Sequence, residues 1–424
     1  MIRILNISFS TYVRYLYVAM LFCSLTFILF YYNDDGKLHD AGVYFNSGLD
    51  VLRGENPYPD ARWGSFGAVP FSILISVFPE EIRSIVIRIL SLAGVYIFFR
   101  AFFPNKRLIE PLAISLVLLW TSPVRELMVT NQMTGIAIGL LALGVMLLED
   151  FTSFRKISKA SFAGALFFAM ALDLKPHICI IFFLSWVIYK KSLPKFLIVI
   201  FTLLVAHLII DLSQMRILEK EWFNTLSRVN ESASEASLGD SLSFWPILNH
   251  LIDANSILYF TSILVTCILS GLCLYWAYRG RWNDVIFLSF FIPSTSIYYH
   301  YYDAVPLCVL FVVTLFRLNN LFLISFTASF ILIPKEYMSI RNQILVLLII
   351  GVFTLRLILK NKNGRYGPII LSAIFGLLAS TLLHLINTTL ELSDHLLQSL
   401  IVTESLVMIS SLYIYTRARK ISLA

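Results

Sequence analysis

Four groups of polar residues interrupt an otherwise apolar chain: Asp40, Asn131-Gln132, Asp173-x-Lys175-Pro176 and Tyr298-Tyr299-His300-Tyr301-Tyr302-Asp303. Together they offer carboxylates that can take up a proton, a lysine and a histidine that can hold an anion, amides that read hydroxyls, and rings that stack. Polar groups near or within apolar helices are costly, so these residues are functional candidates by default. Arg62 and Arg125 add two more cations. The motifs that are absent also narrow the chemistry. There is no Gly-x-Gly-x-x-Gly, Walker loop, His-Glu-x-x-His, Gly-x-Ser-x-Gly or Asp-x-Asp pattern, so an ATP-driven pump or a nucleotide-sugar enzyme lacks support. No cofactor motif and no cluster with metal-ligand spacing is visible. The five cysteines lie in apolar segments without a Cys-x-x-Cys pair and read as small buried hydrophobes.

The elements that must position these residues follow from composition. Of 424 residues 58% are hydrophobic and 14% charged, and the mean hydropathy is +0.79. A water-soluble fold has no means of hiding that much apolar surface. Apolar blocks such as 16–32, 258–277 and 369–386 are long enough to cross ~30 Å of hydrocarbon. Inside a bilayer the backbone must satisfy its own hydrogen bonds, and the blocks lack period-2 alternation, so they are helices. The expected fold is therefore an all-α integral membrane protein, a single polytopic domain over 1–424.

About fourteen candidate spans can be marked, some of them short: 13–32, 83–103, 109–121, 132–148, 159–173, 176–190, 195–212, 255–279, 284–297, 302–317, 320–334, 342–360, 367–387 and 396–416. The first span lacks a cleavage site and reads as a retained helix. Placing both termini in the cytoplasm puts basic clusters inside, among them Arg155 with Lys156, Lys190 with Lys195, and Arg279 with Arg281, as the positive-inside rule requires. The net charge of +7 is thus a topology signal and not a nucleic-acid footprint. Parity holds if the stretch 66–78, which contains Pro70, is re-entrant from the outer side. Most acids then face outward, and two outer loops, 33–82 and 213–254, are long enough to carry function. Gly135 and Gly139 form a small-xxx-small pair suited to helix packing.

The order Asp40-x-x-Val43-Tyr44, Leu52-x-Gly54-x-x-Pro57-Tyr58, Pro70, Asn131-Gln132, Leu174-Lys175-Pro176, then Ser296 with His300 and Tyr301, resembles glycosyltransferase family 87. The likeness runs over 13–318. Two departures are a single Pro70 where tandem prolines are usual, and no Trp between Ser296 and His300. The resemblance implies a GT-C type multi-span bundle like the polyprenyl-phosphate-mannose-dependent mannosyltransferases. It also implies a polyprenyl-phosphate sugar donor, a glycan or glycolipid acceptor, a site on the outer face among membrane lipids, and inverting, metal-independent transfer without a cofactor. In such a family a positioned carboxylate takes the acceptor proton. Asp40, just beyond the first helix, suits that role, with Asp34 and Asp35 as alternates in what is also a plain turn sequence.

On the same resemblance Lys175 and His300 hold the departing phosphate, because stabilising developing negative charge is often the largest catalytic effect. Lys175 reads equally as a snorkelling interfacial lysine. Tyr44, Tyr58 and Tyr301 supply aromatic surface for the substrate, although tyrosines at an interface also form a belt. Asn131 and Gln132 bond sugar or phosphate, with helix capping as the competitor at Asn131. Arg62 and Arg125 are supplementary outer cations. His207 and His384 read as hydrogen-bonded packing residues. Two rival functions are a lipid-linked polysaccharide polymerase or ligase, which gives Asp40 and the Gly54 motif no evident purpose, and a flippase. The latter calls for inverted repeats and ionisable groups near mid-membrane.

Overall fold

A computed structural model describes residues 40–55, 76–102, 130–154, 157–214, 255–296 and 300–310, together with 22, 26, 73, 124, 127 and 128. The expected spans 13–32, 109–121, 320–334, 342–360, 367–387 and 396–416, and the loop 213–254 beyond residue 214, lie outside the described residues or touch them only at isolated positions. Among the described residues every regular element is helical: α1 (Asp40–Arg53), α2 (Glu80–Phe102), α3 (Thr134–Leu148), α4 (Lys159–Leu174), α5 (Pro176–Lys190), α6 (Leu193–Gln214), α7 (Asn255–Tyr278) and α8 (Trp282–Phe291), followed by 3-10 turns Ile292–Thr295 and Tyr301–Ala304. Three stretches, Ile82–Phe102, Leu193–Ser213 and Phe260–Tyr278, are long and apolar enough to cross a bilayer. On α6 the side chains of Phe201, Leu204, Leu208 and Leu212 are exposed. That outward apolar face is tolerable in lipid and costly in water. The protein is an all-α membrane protein.

α1 is amphipathic, with Phe45, Gly48 and Val51 buried and Asn46 and Arg53 exposed. It stops at Gly54, whose φ of +76° is strained for other residues. The Gly54 N–H reaches the Val51 carbonyl and the Glu55 N–H the Asp50 carbonyl, a Schellman termination. The glycine of the Leu52-x-Gly54 motif is thus a helix stop. Arg83, near the start of α2, lies over the Phe45 ring with 4.7 Å to the centroid. It also donates to the carbonyls of Phe78 (2.7 Å) and Ser76 (3.4 Å), tying α1 and the end of the Pro70 stretch to the head of α2.

Helices α2 and α3 cross with backbones in contact. A Cβ on Gly135 would stand 2.6 Å from the Ser91 carbonyl oxygen, one on Gly139 would overlap Gly94 Cα, and one on Gly94 would overlap the Gly135 carbonyl. Lipid offers helices no hydrophobic incentive to associate, so close backbone approach of this kind supplies dispersion instead. Gly94→Ala is expected to cost about 1–3 kcal/mol by overpacking. The shift in thermal unfolding of the detergent-purified protein measures it, with Gly271→Ala on α7, where a Cβ meets nothing within 4 Å, as the neutral control.

The α4–α5 hairpin and α8 pack aromatic rings around α5. Phe182 stacks on Phe290 at 5.2 Å and meets Phe102 edge-on at 5.5 Å, while Trp186 lies 5.3 Å from Phe168. At the far end of α5, Tyr189 stacks on Trp282. There the Lys195 ammonium donates to the Leu148 carbonyl and, at 2.6 Å, to that of Glu149, while Lys190 pairs with the Glu149 carboxylate. A lysine on the last carbonyls of α3 satisfies groups that a helix end otherwise leaves open. The bundle therefore has a basic end, with Lys190, Lys195 and Arg281, and an opposite end where Thr134 opens α3 and Lys175 links α4 to α5.

Candidate active site

Lys175 caps both α4 and α5. Its N–H still bonds the Ala171 carbonyl, and its own carbonyl receives the N–H groups of Ile178 and Cys179. Pro176 excludes the helical conformation at the preceding residue, and Lys175 sits at φ −144°, ψ 70°. One residue therefore turns the chain, and the lysine side chain is held inside that turn, 9% exposed.

Its partner comes from the other side of the bundle. Asp303, in the turn Tyr301–Ala304, is buried, and both of its oxygens are engaged. Oδ1 accepts from Thr134 Oγ1 at 3.0 Å and faces Lys175 Nζ at 3.8 Å. Oδ2 lies 3.3 Å from His177 Nε2 and accepts the His300 backbone N–H at 3.2 Å. A buried carboxylate is tolerable only when paired and hydrogen-bonded, and four residues from three segments meet that condition here.

The turn before α3 is fixed from α2. Asn131 takes the left-handed conformation at φ 53°, which asparagine tolerates. Its Oδ1 accepts from Ser84 Oγ at 3.0 Å and from Arg88 Nε at 2.9 Å, and Arg88 Nε also reaches the Met128 carbonyl. The Gln132 carbonyl accepts from Ser91. Helix capping, the competitor to substrate binding at Asn131, is not what it does: Met133 occupies the N-cap of α3 and gives no side-chain bond. Asn131 Nδ2 is buried with no hydrogen-bond partner among the described residues. Two residues before Lys175, Asp173 accepts from His207 at 2.7 Å, so that histidine bridges α4 and α6 as a hydrogen-bonded packing residue.

Of the residues expected from sequence, Asn131, Gln132, Lys175 and His300 lie at this one end of the bundle. Asp40 opens α1, whose Phe45 meets Arg83 beside the Ser84–Asn131 contact. Tyr44 lies within α1 and Tyr301 begins the 3-10 turn; their side chains, like that of Asp40, lie outside the described set. Tyr58, Arg62 and Arg125, and the alternates Asp34 and Asp35, also fall outside the described residues. On α1, burial raises the Asp50 carboxyl above the ordinary carboxylate value, Glu55 raises it further, and Arg53 opposes them. Among the described residues no three His, Cys, Asp or Glu side chains group as a metal site.

The sequence pattern of glycosyltransferase family 87 matches residues 64–297, more than half of the 424-residue chain. The chain belongs to glycosyltransferase family 87. This family 87 protein is therefore a glycosyltransferase with a sugar donor and an acceptor as substrates. The matched segment includes Asn131, Gln132 and Lys175, and ends just before His300 and Asp303. Comparison with curated proteins and with solved structures returns no match. Sequence reading missed Thr134, His177 and Arg88 as members of the cluster and noted Asp303 only as part of a polar run. Arg88 carried a usable signal, because a cation inside a long apolar helix is costly enough to require a purpose. His177 directly follows the Lys175-Pro176 pair.

Proposed function

We propose that this family 87 glycosyltransferase moves a hexose such as mannose from a polyprenyl-phosphate donor to a glycan or glycolipid acceptor on the outer face of the cell membrane, with inversion. The observation that carries the reading is the convergence of Asn131, Gln132, Lys175 and His300 at the end of the bundle opposite Lys190 and Lys195. A lipid-linked donor presents its head group at the membrane surface, which is where such an end lies. The basic end faces the cytoplasm by the positive-inside rule, with both termini there and the chain forming one polytopic domain.

In the transfer, the acceptor oxygen forms a bond to the anomeric carbon while the bond from that carbon to the phosphate oxygen breaks. The electron pair leaves on the phosphate, and the acceptor proton passes to Asp40. Lys175 and His300 offset the charge that develops on the phosphate. Asn131 and Gln132 orient the head group, Tyr44, Tyr58 and Tyr301 line it with aromatic surface, and Arg62 and Arg125 add positive potential.

The first test is of side. Cysteine introduced at Ser237 is expected to react with an impermeant thiol reagent in intact cells, and cysteine at Ser10 to be protected; equal labelling contradicts the orientation. The second is of donor. With polyprenyl-phosphate mannose, His300→Ala is expected to raise the donor KM about tenfold to a hundredfold, the worth of one hydrogen bond to a charged group. An altered acceptor KM with donor use intact contradicts the role.

A further inference from the structure

The groups around Asp303 differ in what a ligand arriving from outside the bundle can touch. The Asp303 side chain is 0% exposed and that of Lys175 9%, whereas the His177 imidazole is 38% exposed. Lys175 is enclosed in its turn and faces Asp303 Oδ1 at 3.8 Å. His177 is the member that combines access with a fixed attachment, because Asp303 Oδ2 faces its Nε2 at 3.3 Å.

We propose that His177 binds the phosphate of the lipid-linked donor through Nδ1, with Asp303 as the positioning residue that holds the ring; the inference rests on the donor reading given above. An ionised carboxylate only accepts hydrogen bonds, so Nε2 carries the proton that faces Asp303. The carboxylate does not drift, since Thr134 Oγ1 and the His300 N–H fix its two oxygens at 3.0 and 3.2 Å. That carboxylate in turn holds the Nε2 edge of the ring. Nδ1 makes no hydrogen bond among the described residues, and with Nε2–H committed it becomes a donor only in the imidazolium form. Phosphate binding therefore brings a proton onto Nδ1.

Around the imidazole stand Asp303 and Lys175. His300 shares the same carboxylate, and Cys179 lies on the same helix within the field of both Lys175 and Asp303. The contact is also graded along the reaction. A prenyl-phosphate sugar is a phosphodiester with one negative charge, and the prenyl monophosphate released from it gains a second. A cation at Nδ1 holds the departing group more strongly than the donor, which is the differential binding that accelerates a step.

The test uses detergent-purified full-length protein and three probes: a short-chain polyprenyl monophosphate, the corresponding polyprenol, and inorganic phosphate. His177→Gln retains an N–H for Asp303 but cannot become a cation. Wild-type protein is expected to bind the monophosphate about tenfold to a hundredfold more tightly than the polyprenol. His177→Gln is expected to lose that preference while binding polyprenol as before. Retention of that preference by His177→Gln, with transfer from the donor intact, overturns the role of His177 and leaves the proposed function standing. Equal loss for monophosphate and polyprenol marks a structural defect and also overturns it. So does a His177-dependent site that takes inorganic phosphate alone. If wild-type protein neither binds polyprenyl monophosphate nor transfers sugar from a polyprenyl-phosphate donor, the donor reading fails and this inference fails with it.

Discussion

Asp40→Asn is expected to lower turnover by about 10²–10⁴-fold, the usual contribution of a general base, with donor binding preserved. The asparagine keeps the size of the side chain and much of its hydrogen-bonding shape, but it cannot accept the acceptor proton at neutral pH. Asp40 begins α1, an amphipathic helix anchored by Phe45 beneath Arg83 and stopped at Gly54. The same helix supplies the control. Asp50 lies ten residues further on, about 15 Å along the axis at 1.5 Å per residue. Asp50→Asn is therefore expected to leave turnover nearly unchanged. Purified variants assayed for sugar transfer from a polyprenyl-phosphate donor distinguish the cases. Near-normal turnover in Asp40→Asn removes it as the base, and loss in Asp34→Asn or Asp35→Asn transfers the role to those residues.

Asp303→Asn is expected to destabilise the protein by about 3–5 kcal/mol, the usual cost of removing one partner from a buried ion pair. The lysine turn between α4 and α5 leaves Lys175 almost no exposed surface, so its ammonium would remain in the bundle without the carboxylate it faces at 3.8 Å. Adding Lys175→Met to Asp303→Asn removes that buried charge and is expected to recover most of the lost stability without recovering transfer. Thermal unfolding in detergent, measured alongside activity, reads both effects. A melting temperature for Asp303→Asn equal to that of wild type contradicts the pairing, and a double variant no more stable than the single one contradicts the proposed cause.

How far the sequence could be read depended on whether the signal was local. The helix expected at 176–190 has those bounds in the structure, because Pro176 defines its start and Lys190-Lys191 its end. Within the outer loop expected over 33–82, residues Asp40–Arg53 form α1, which ends at the Gly54 stop. Where tertiary contacts compete, the reading was coarser. The span expected at 284–297 is instead α8 followed by a 3-10 turn containing Pro293, whose ring cannot continue the α-helical ladder. The span expected from 302 opens with a 3-10 turn that presents Asp303 to Thr134, Lys175 and His177. Asn131 looked like a cap by position, yet Ser84 and Arg88, more than forty residues earlier, take its carbonyl oxygen. No local pattern records such a partner.

The Asp303 contacts also bear on how the protein is made. Thr134 precedes Asp303 by 169 positions and His177 precedes it by 126. During synthesis the α4–α5 hairpin is therefore complete, and its lysine committed to the turn, long before the carboxylate that neutralises it leaves the ribosome. Until then the chain lacks the Asp303 carboxylate that faces Lys175 at 3.8 Å in the finished bundle. Arrival of the segment around residue 303 is then the assembly step that closes this end of the bundle. A nascent chain stalled before that point carries Lys175 and His177 without the carboxylate that joins them to Thr134.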